Sequence, residues 1–204
     1  MDRHAWDERY AAAEQTFVRD PNRLVVQEVA GLPPGTALDL ATGEGRHAVW
    51  LASVGWHVVA VDFAEVGLRR AQQRSRDEAL ANHIAFALAD VYRLRLPPGR
   101  FDLVLGAFFH PRPPERAALY AAIAAALAPG GSAVFVSYDL ANLTEGTGSP
   151  KDPELLLQPD VIRADLEALG LAVTRADTVR LRTPTSEGQE VDVVDAVIRA
   201  VRPA

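Results

Sequence analysis

Residues 36–52 read TALDLATGEGRHAVWLA, and this stretch determines what the rest of the chain can form. It begins with a short apolar run typical of a buried strand, continues through a glycine-bearing turn and ends in a pattern typical of an amphipathic helix. Gly43 and Gly45 allow the backbone to come close to a ligand. The helix that begins near Arg46 directs its unpaired N–H groups and positive dipole end at the turn. The stretch therefore predicts a strand, a ligand-binding loop and a helix.

The charge of Asp39 distinguishes between two classes of ligand that this loop could bind. Read with Ala48, the loop satisfies Gly-x-Gly-x-x-Ala, a loose form of the dinucleotide-binding pattern, which alone identifies no ligand. A carboxylate at the end of the first strand would repel a pyrophosphate, and it would attract a ligand that carries an ammonium and a sulfonium group. The charge of Asp39 therefore favours the second class.

Composition narrows the possible functions. The 204 residues fit one domain, and 49% hydrophobic with 24% charged residues is ordinary for a globular protein. A net charge of −6 argues against nucleic acid as a partner. The absence of cysteine excludes disulfides, thiolate zinc sites and a cysteine nucleophile. Since neither a signal peptide nor a membrane-spanning run is recognisable, we expect a cytoplasmic protein without a membrane partner.

Strand and helix patterns alternate along the chain, which predicts a doubly wound α/β fold of the Rossmann-like type in a single domain, residues 1–204. Five strands are expected to be parallel, at residues 37–40, 56–61, 84–89, 101–109 and 132–138. Two further strands, at residues 171–181 and 190–201, are expected to form an antiparallel hairpin around a turn at 186–189. Within the domain we expect four parts: a helical lid (1–31), a cofactor-binding core (36–139), a substrate-side loop without regular structure (140–158), and a C-terminal helix and hairpin (159–204).

Four aspartates follow or end predicted strands: Asp39, Asp62, Asp90 and Asp139. A single aspartate in such a place is usually a turn or helix cap. Four at one edge of a parallel sheet indicate a binding site, because ligands of open α/β sheets bind at the carboxyl ends of the strands. Asp62 also lies 17 residues beyond Gly45, near the position of an acidic side chain that binds ribose hydroxyls.

The sequence D-L-A-T-G-E-G resembles the first motif of the class I S-adenosylmethionine (SAM) dependent methyltransferases, with Ala41 where that family commonly has glycine. The resemblance extends over residues 6–200 and implies a seven-stranded sheet, SAM as cofactor, and methyl transfer to a small molecule. Within the implied site, Asp62 would bind the ribose, Phe63 would flank the adenine and Asp90 would accept its amino group. The implied cofactor residues are Asp39, Ala41, Gly43, Gly45, Asp62, Phe63, Asp90, Val91 and Ala107.

Within this family, GEGRHAVWLA, SYDLANL and the terminal hairpin look most similar to the tellurite-resistance and thiopurine-type branch. That resemblance implies a soft methyl acceptor, such as a thiol, selenium or tellurium species. The chain departs from the branch at His47, where asparagine is expected, and in FFHPRPPER after the fourth strand. An oxygen or nitrogen acceptor therefore remains an alternative.

The candidates for catalysis are His110 and Asp139, since a base is needed when the acceptor is protonated. His110 could instead bind local backbone. The residues expected near the acceptor are Trp6, Tyr10, His47 and Arg112, and no metal site is expected. The aromatic pair in WDERY resembles the leading segment that covers the site in small-molecule methyltransferases; a helix that only packs on the domain is the alternative.

Two rival functions remain open from the sequence. A nicotinamide-dependent oxidoreductase would use the same glycine loop, but the chain lacks a recognisable Tyr-x-x-x-Lys pair and its only lysine is Lys151. The other rival is a protein that binds SAM without catalysis. The sequence allows a monomer or a homodimer.

Overall fold

A seven-stranded sheet forms the centre of the protein in the computed structural model, which describes residues 2–13, 15–184 and 189–204. The strand order is β3-β2-β1-β4-β5-β7-β6; the first five strands in sequence are parallel, and β7 is antiparallel to both neighbours. The predicted fold class is therefore confirmed. Most of the predicted hairpin turn lies outside the described residues. The strands are β1 (Thr36–Leu40), β2 (His57–Asp62), β3 (Ile84–Leu88), β4 (Phe101–Ala107), β5 (Leu127–Tyr138), β6 (Ala172–Pro184) and β7 (Glu190–Val201).

Helices cover both faces of the sheet. Apolar side chains of α2 and α3 pack in one core layer, and those of α5 and α7 pack in the other. None of the helices in the described part of the chain is long and apolar enough to cross a membrane. The helices are α1 (Arg3–Ala11), α2 (Arg23–Val29), α3 (Arg46–Ser53), α4 (Glu65–Asp77), α5 (Pro113–Ala126), α6 (Asn142–Glu145) and α7 (Pro159–Glu167).

The central strand β4 explains why the apolar run after residue 100 is continuous. Leu103 and Leu105 pack into the layer with α2 and α3, whereas Val104 packs into the opposite layer. All three side chains are fully buried, as expected for a strand covered on both faces. The strand ends at Ala107, two residues earlier than predicted, because Phe108 adopts a left-handed conformation with φ of 54°.

The strand order reverses between β1 and β4, and the loop after β1 lies at this switch point. Gly43 and Gly45 both have positive φ, at 55° and 77°. A Cβ atom on Gly45 would also lie 2.7 Å from Cβ of Ala71 in α4. The close packing of α4 and the left-handed backbone together require glycine there.

Residues 140–158 are more ordered than the sequence analysis predicted. They include α6 and a 3₁₀ turn at Pro153–Leu155, and Leu157 forms a parallel bridge with Asp139. A polar side chain holds the segment: Asn142 accepts the Val194 N–H at 2.7 Å and donates to the Thr147 carbonyl at 3.0 Å. The segment is held by hydrogen bonds from a polar side chain to the backbone. Its sequence therefore has no hydrophobic periodicity, and this is why the sequence pattern predicts a loop.

The buried central strand provides a stability test. Leu105→Ala should lower the free energy of unfolding by about 2–5 kcal/mol, because it opens a cavity in a closed core layer. The same change at Leu88, which is 46% exposed on the edge strand β3, should cost less than about 0.5 kcal/mol. Urea denaturation of both variants measures the difference. Equal losses would contradict this description of the core.

Candidate functional site

A cavity of about 1190 Å³ opens at the carboxyl ends of the parallel strands. Its walls come from α1, the loop after β1, the ends of β2, β4 and β5, and the inner surface of β7. Pockets for a single ligand commonly measure about 300–1,000 Å³. The cavity is therefore large enough for a cofactor and a second molecule side by side.

Asp62 shapes the cofactor side of this cavity through two backbone hydrogen bonds. Its carboxylate accepts the Gly43 N–H at 2.8 Å and the Ala64 N–H at 2.8 Å. The side chain is almost fully buried, and this burial raises the pKa of the Asp62 carboxyl. Asp62 thus ties the glycine loop to the end of β2 while it lines the cavity.

Asp39 does not line the cavity, which corrects the expectation that its charge meets the ligand directly. It is 1% exposed, and its carboxylate accepts the Thr42 hydroxyl at 2.6 Å and a bond from the Ala48 backbone. Burial is the main cause that raises the pKa of Asp39 to about 7. Because Ala48 lies in the first turn of α3, Asp39 caps the helix that Gly45, without a side chain, leaves uncapped.

Most predicted cofactor residues meet at the cavity wall. Gly45 is the exception besides Asp39, since it lies behind the wall against α4. The side chain of Asp90 is 40% exposed and accepts the Tyr92 N–H at 3.0 Å. The residues that line the cavity are Ala41, Gly43, Asp62, Phe63, Asp90, Val91 and Ala107.

Arg46 is a cavity residue that the sequence analysis did not assign. Its guanidinium lies 5.0 Å from the ring centre of Phe108, and it has no hydrogen bond or ion pair to the described residues. Burial is the main cause that lowers its pKa. A cation in the first turn of a helix opposes the helix dipole. That unfavourable position was visible in the sequence and indicates an anionic ligand group.

His110 lies in the cavity as a neutral imidazole with one nitrogen free. Its Nδ1–H donates to the Leu155 carbonyl at 2.9 Å, and its ring stacks on Tyr138 with centroids 6.1 Å apart. Burial lowers the pKa of His110 below the ordinary value of 6.5. Within the described residues Nε2 has no partner. The histidine therefore combines both functions that the sequence left open, since it bonds backbone through one nitrogen and offers the other to the cavity.

Asp139 is not positioned as a base. One carboxylate oxygen accepts the Ala141 N–H at 2.8 Å, the other accepts the Thr178 hydroxyl at 2.7 Å, and the residue does not line the cavity. Its side chain caps the turn after β5 instead. A different carboxyl, Asp195 on β7, does line the cavity, and burial raises its pKa to about 7. A charged residue inside the buried run VVDAV was the signal for it.

The residues expected near the acceptor divide into two groups. Trp6 and Tyr10 line the cavity, with ring centroids 5.6 Å apart. His47 also borders it, but its Nε2 accepts the Asn22 N–H at 3.2 Å, and burial lowers its pKa, so it joins α3 to α2. Arg112 does not line the cavity; it forms exposed ion pairs with Asp152 and Glu154 at 2.6 and 2.7 Å.

Glu44 connects the N-terminal segment to the glycine loop by hydrogen bonds. Its carboxylate accepts the backbone N–H groups of Thr16 and Phe17 at 3.1 Å each. Arg70 on α4 pairs with Glu44 at 2.8 Å and donates to the Ala13 carbonyl at 2.6 Å. The segment that carries Trp6 and Tyr10 is thereby held over the glycine loop after β1.

A metal site was not found in the described part of the chain, where no group of three or more histidine or acidic side chains could hold an ion.

Comparison with known proteins places this geometry in a family context. A family model described as a methyltransferase domain matches residues 37–131. The chain is 28% identical over 131 residues to 27-O-demethylrifamycin SV methyltransferase of Amycolatopsis mediterranei, covering 62% of this chain and 46% of the relative. It is 27% identical over 110 residues to the chloroplastic tocopherol O-methyltransferase of Arabidopsis thaliana, covering 53% and 32%. The chain thus spans less than half the length of these two relatives.

The fold is shared with solved structures over nearly the whole chain. A structure from work on the conversion of a disulfide bond into a thioacetal group during echinomycin biosynthesis has a TM-score of 0.73 and 24% identity, and the match covers 98% of this chain and 92% of that one. Residues 37–131 thus match a methyltransferase domain, and the chain has the fold of the class I SAM-dependent methyltransferases.

Proposed function

We propose that this protein transfers the methyl group of SAM to a hydroxyl group on a small, ring-bearing acceptor. The observation that carries the proposal is the neutral His110 in a cavity with room for two molecules. The relatives named above support oxygen as the acceptor atom, since both are O-methyltransferases or act on an O-demethylated compound by name.

The residues of the cofactor side fit SAM. Arg46 would pair with the carboxylate of the methionine portion, which would also offset the unfavourable place of this cation at the start of α3. Asp62 and Asp90 offer carboxylate oxygens for the ribose hydroxyls and the adenine amino group. Bound SAM supplies a methyl group that its sulfonium already activates, so the protein contributes mainly orientation, exclusion of water and control of one proton.

His110 would take that proton. The Leu155 carbonyl holds the hydrogen on Nδ1, so the lone pair of the ring is on Nε2. Transfer of the hydroxyl proton to Nε2 makes an imidazolium, which the carbonyl stabilises through its hydrogen bond. The aromatic residues Trp6, Tyr10, Phe108 and Tyr138 would enclose the ring of the acceptor.

A soft acceptor is the second candidate. It is favoured by the resemblance of GEGRHAVWLA and SYDLANL to the tellurite-resistance and thiopurine-type branch. A thiol with an ordinary pKa of about 8.5 is already partly ionised at neutral pH, so it needs no base. The two candidates therefore differ in how much they depend on His110.

The first prediction from the proposed function concerns cofactor binding. Asp62→Ala should weaken binding of S-adenosylhomocysteine by roughly 1.5–3 kcal/mol, the range for a hydrogen bond to a charged group. It should also lower stability, by about 1–3 kcal/mol, because the Gly43 and Ala64 N–H groups lose their acceptor. Asp90→Ala should weaken binding with little loss of stability, since Asp90 is partly exposed. Calorimetry and thermal melts separate the two effects; unchanged affinity in both variants would remove these residues from the site.

A second prediction concerns the N-terminal segment, which we propose acts as a lid over bound cofactor. Glu44→Ala removes the acceptor of the Thr16 and Phe17 N–H groups, so amide exchange in residues 2–13 and 15–17 should become faster and cofactor affinity should fall. Glu167→Ala, which breaks an exposed pair with Arg163 on α7, is the control. If exchange accelerated while affinity and turnover stayed unchanged, the segment would be packing and not a lid.

The third prediction distinguishes the two acceptor classes with naphthol and thionaphthol, which carry O–H or S–H on the same ring. His110→Ala should lower kcat for naphthol by at least about a hundredfold, within the range for general-base catalysis. The rate for thionaphthol should change less than about tenfold. With naphthol, kcat of the unaltered protein should fall only below pH 6.5, because burial lowers the pKa of His110 and protonated His110 cannot accept a proton.

Two further variants control this experiment. His110→Asn can still donate to the Leu155 carbonyl but has no basic nitrogen. If His110 accepts the hydroxyl proton of naphthol, His110→Asn should therefore lower kcat for naphthol as much as His110→Ala does. His83→Ala removes an exposed histidine outside the cavity and should leave both rates unchanged. Methylation of thionaphthol alone, with no dependence on His110, would replace the hydroxyl proposal by the soft-acceptor one.

A further inference from the structure

The β7 side of the cavity contains polar atoms without partners. Four buried side-chain polar atoms lack a hydrogen bond in the described part of the chain, and two of them belong to residues that line this cavity. These are Oδ1 of Asp195, which is 2% exposed, and Oγ of Ser149, which is 9% exposed. Buried polar groups nearly always have a partner in proteins. Two unpaired atoms in one cavity wall therefore point to a ligand.

Both residues border Tyr138. Asp195 is the register partner of Tyr138 across β5 and β7. Gly148, next to Ser149, packs against the phenol oxygen of Tyr138, which would lie 3.3 Å from a Cβ atom on that glycine. Tyr138 also stacks on His110, so Asp195, the neighbour of Ser149 and the histidine ring all adjoin one tyrosine.

The backbone of this wall is fixed. Thr147 donates its N–H to the Asp192 carbonyl at 3.0 Å, and the Val194 N–H donates to the Asn142 side chain at 2.7 Å. These bonds hold the 142–149 segment against β7 at Asp192 and Val194, next to Asp195. The segment that carries Ser149 and the strand that carries Asp195 are thus joined by hydrogen bonds at the cavity wall.

The charges around Asp195 restrict what it can bind. Arg46 and Arg23 favour the carboxylate form of Asp195, Asp139 opposes it, and burial, the largest cause, raises the pKa to about 7. The two arginines disfavour a cationic ligand group, and Asp195 disfavours an anionic one. A neutral hydroxyl suits the site, because it can donate to the carboxylate or accept from the acid and can also pair with the Ser149 hydroxyl.

We propose that Asp195 and Ser149 form a subsite for a second hydroxyl group of the methyl acceptor, separate from the hydroxyl that faces His110. The acceptor is then a ring compound with at least two hydroxyl groups, one methylated and one used for orientation. This proposal deepens the O-methylation proposed above and rests on it for the reaction, but the binding step can be tested without methyl transfer.

The test compares naphthol with naphthalenediols that differ in the spacing of their hydroxyls. Calorimetry on the protein saturated with S-adenosylhomocysteine should show at least one diol that binds about tenfold or more tightly than naphthol, as expected for a hydrogen bond to a charged group. Asp195→Ala should remove most of this preference and leave naphthol affinity within about twofold. Ser149→Ala should remove part of it.

Asp192→Ala is the matched control, because Asp192 is on the same strand but its side chain is 64% exposed and pairs with Arg182. It should keep the full diol preference. Asp195→Ala should melt no lower than the unaltered protein, since Oδ1 of Asp195 is buried and has no partner among the described residues. Should the alanine variant fail to fold, Asp195→Asn, which keeps the shape and removes the charge, should still reduce the preference.

The outcomes separate the two proposals. A diol preference that depends on Asp195, without methyl transfer to any of these compounds, would support the subsite and overturn the proposed reaction. Methylation of naphthol with no diol preference, or with a preference that survives Asp195→Ala, would overturn the subsite alone. If neither naphthol nor any diol bound, both proposals would be wrong. A large loss of stability and of S-adenosylhomocysteine affinity in Asp195→Ala would make Asp195 a structural residue and overturn the subsite.

Discussion

The site depends on how two aspartates hold the left-handed turn between β1 and α3. Asp62 accepts the Gly43 N–H, and Asp39 accepts the Thr42 hydroxyl and caps the first turn of α3. Both carboxyl groups are buried, at a cost in desolvation that these bonds offset in part. Without this bracing, the backbone N–H groups at the start of α3 would not face the cavity in a fixed direction. The two aspartates therefore position the ligand-binding loop mainly through hydrogen bonds to its backbone.

A second constraint is electrostatic. The start of α3 is already positive, and the chain adds Arg46 there in a half-buried place beside the ring of Phe108. The helix dipole opposes this cation, and in the proposed site the carboxylate of SAM would offset the opposition. Preorganised charge of this kind reduces the cost of ordering when the ligand binds.

The fold was predictable because its determinants are local. Strand-length apolar runs, glycine turns and the spacing of the helices indicated the doubly wound sheet, and the glycine loop indicated where the ligand binds. What the sequence could not reveal was the direction of individual side chains. Thr178 and the Ala141 N–H occupy the two oxygens of Asp139, whereas Oδ1 of Asp195 has no partner in the part of the chain that the structure describes. Only the register of β5, β6 and β7 determines which of them meets the cavity.

The same register makes the C-terminal hairpin part of the site. In a purely parallel sheet, β5 would be followed by another strand whose carboxyl end joined the same edge. Here β7 returns in the opposite direction, so residues from its middle, and not its end, reach the cavity beside Tyr138. In the function proposed above, the acceptor is oriented from β7, whereas the cofactor is held at the glycine loop after β1. Acceptor choice would then depend on an element separate from cofactor binding, so that one fold could serve different acceptors.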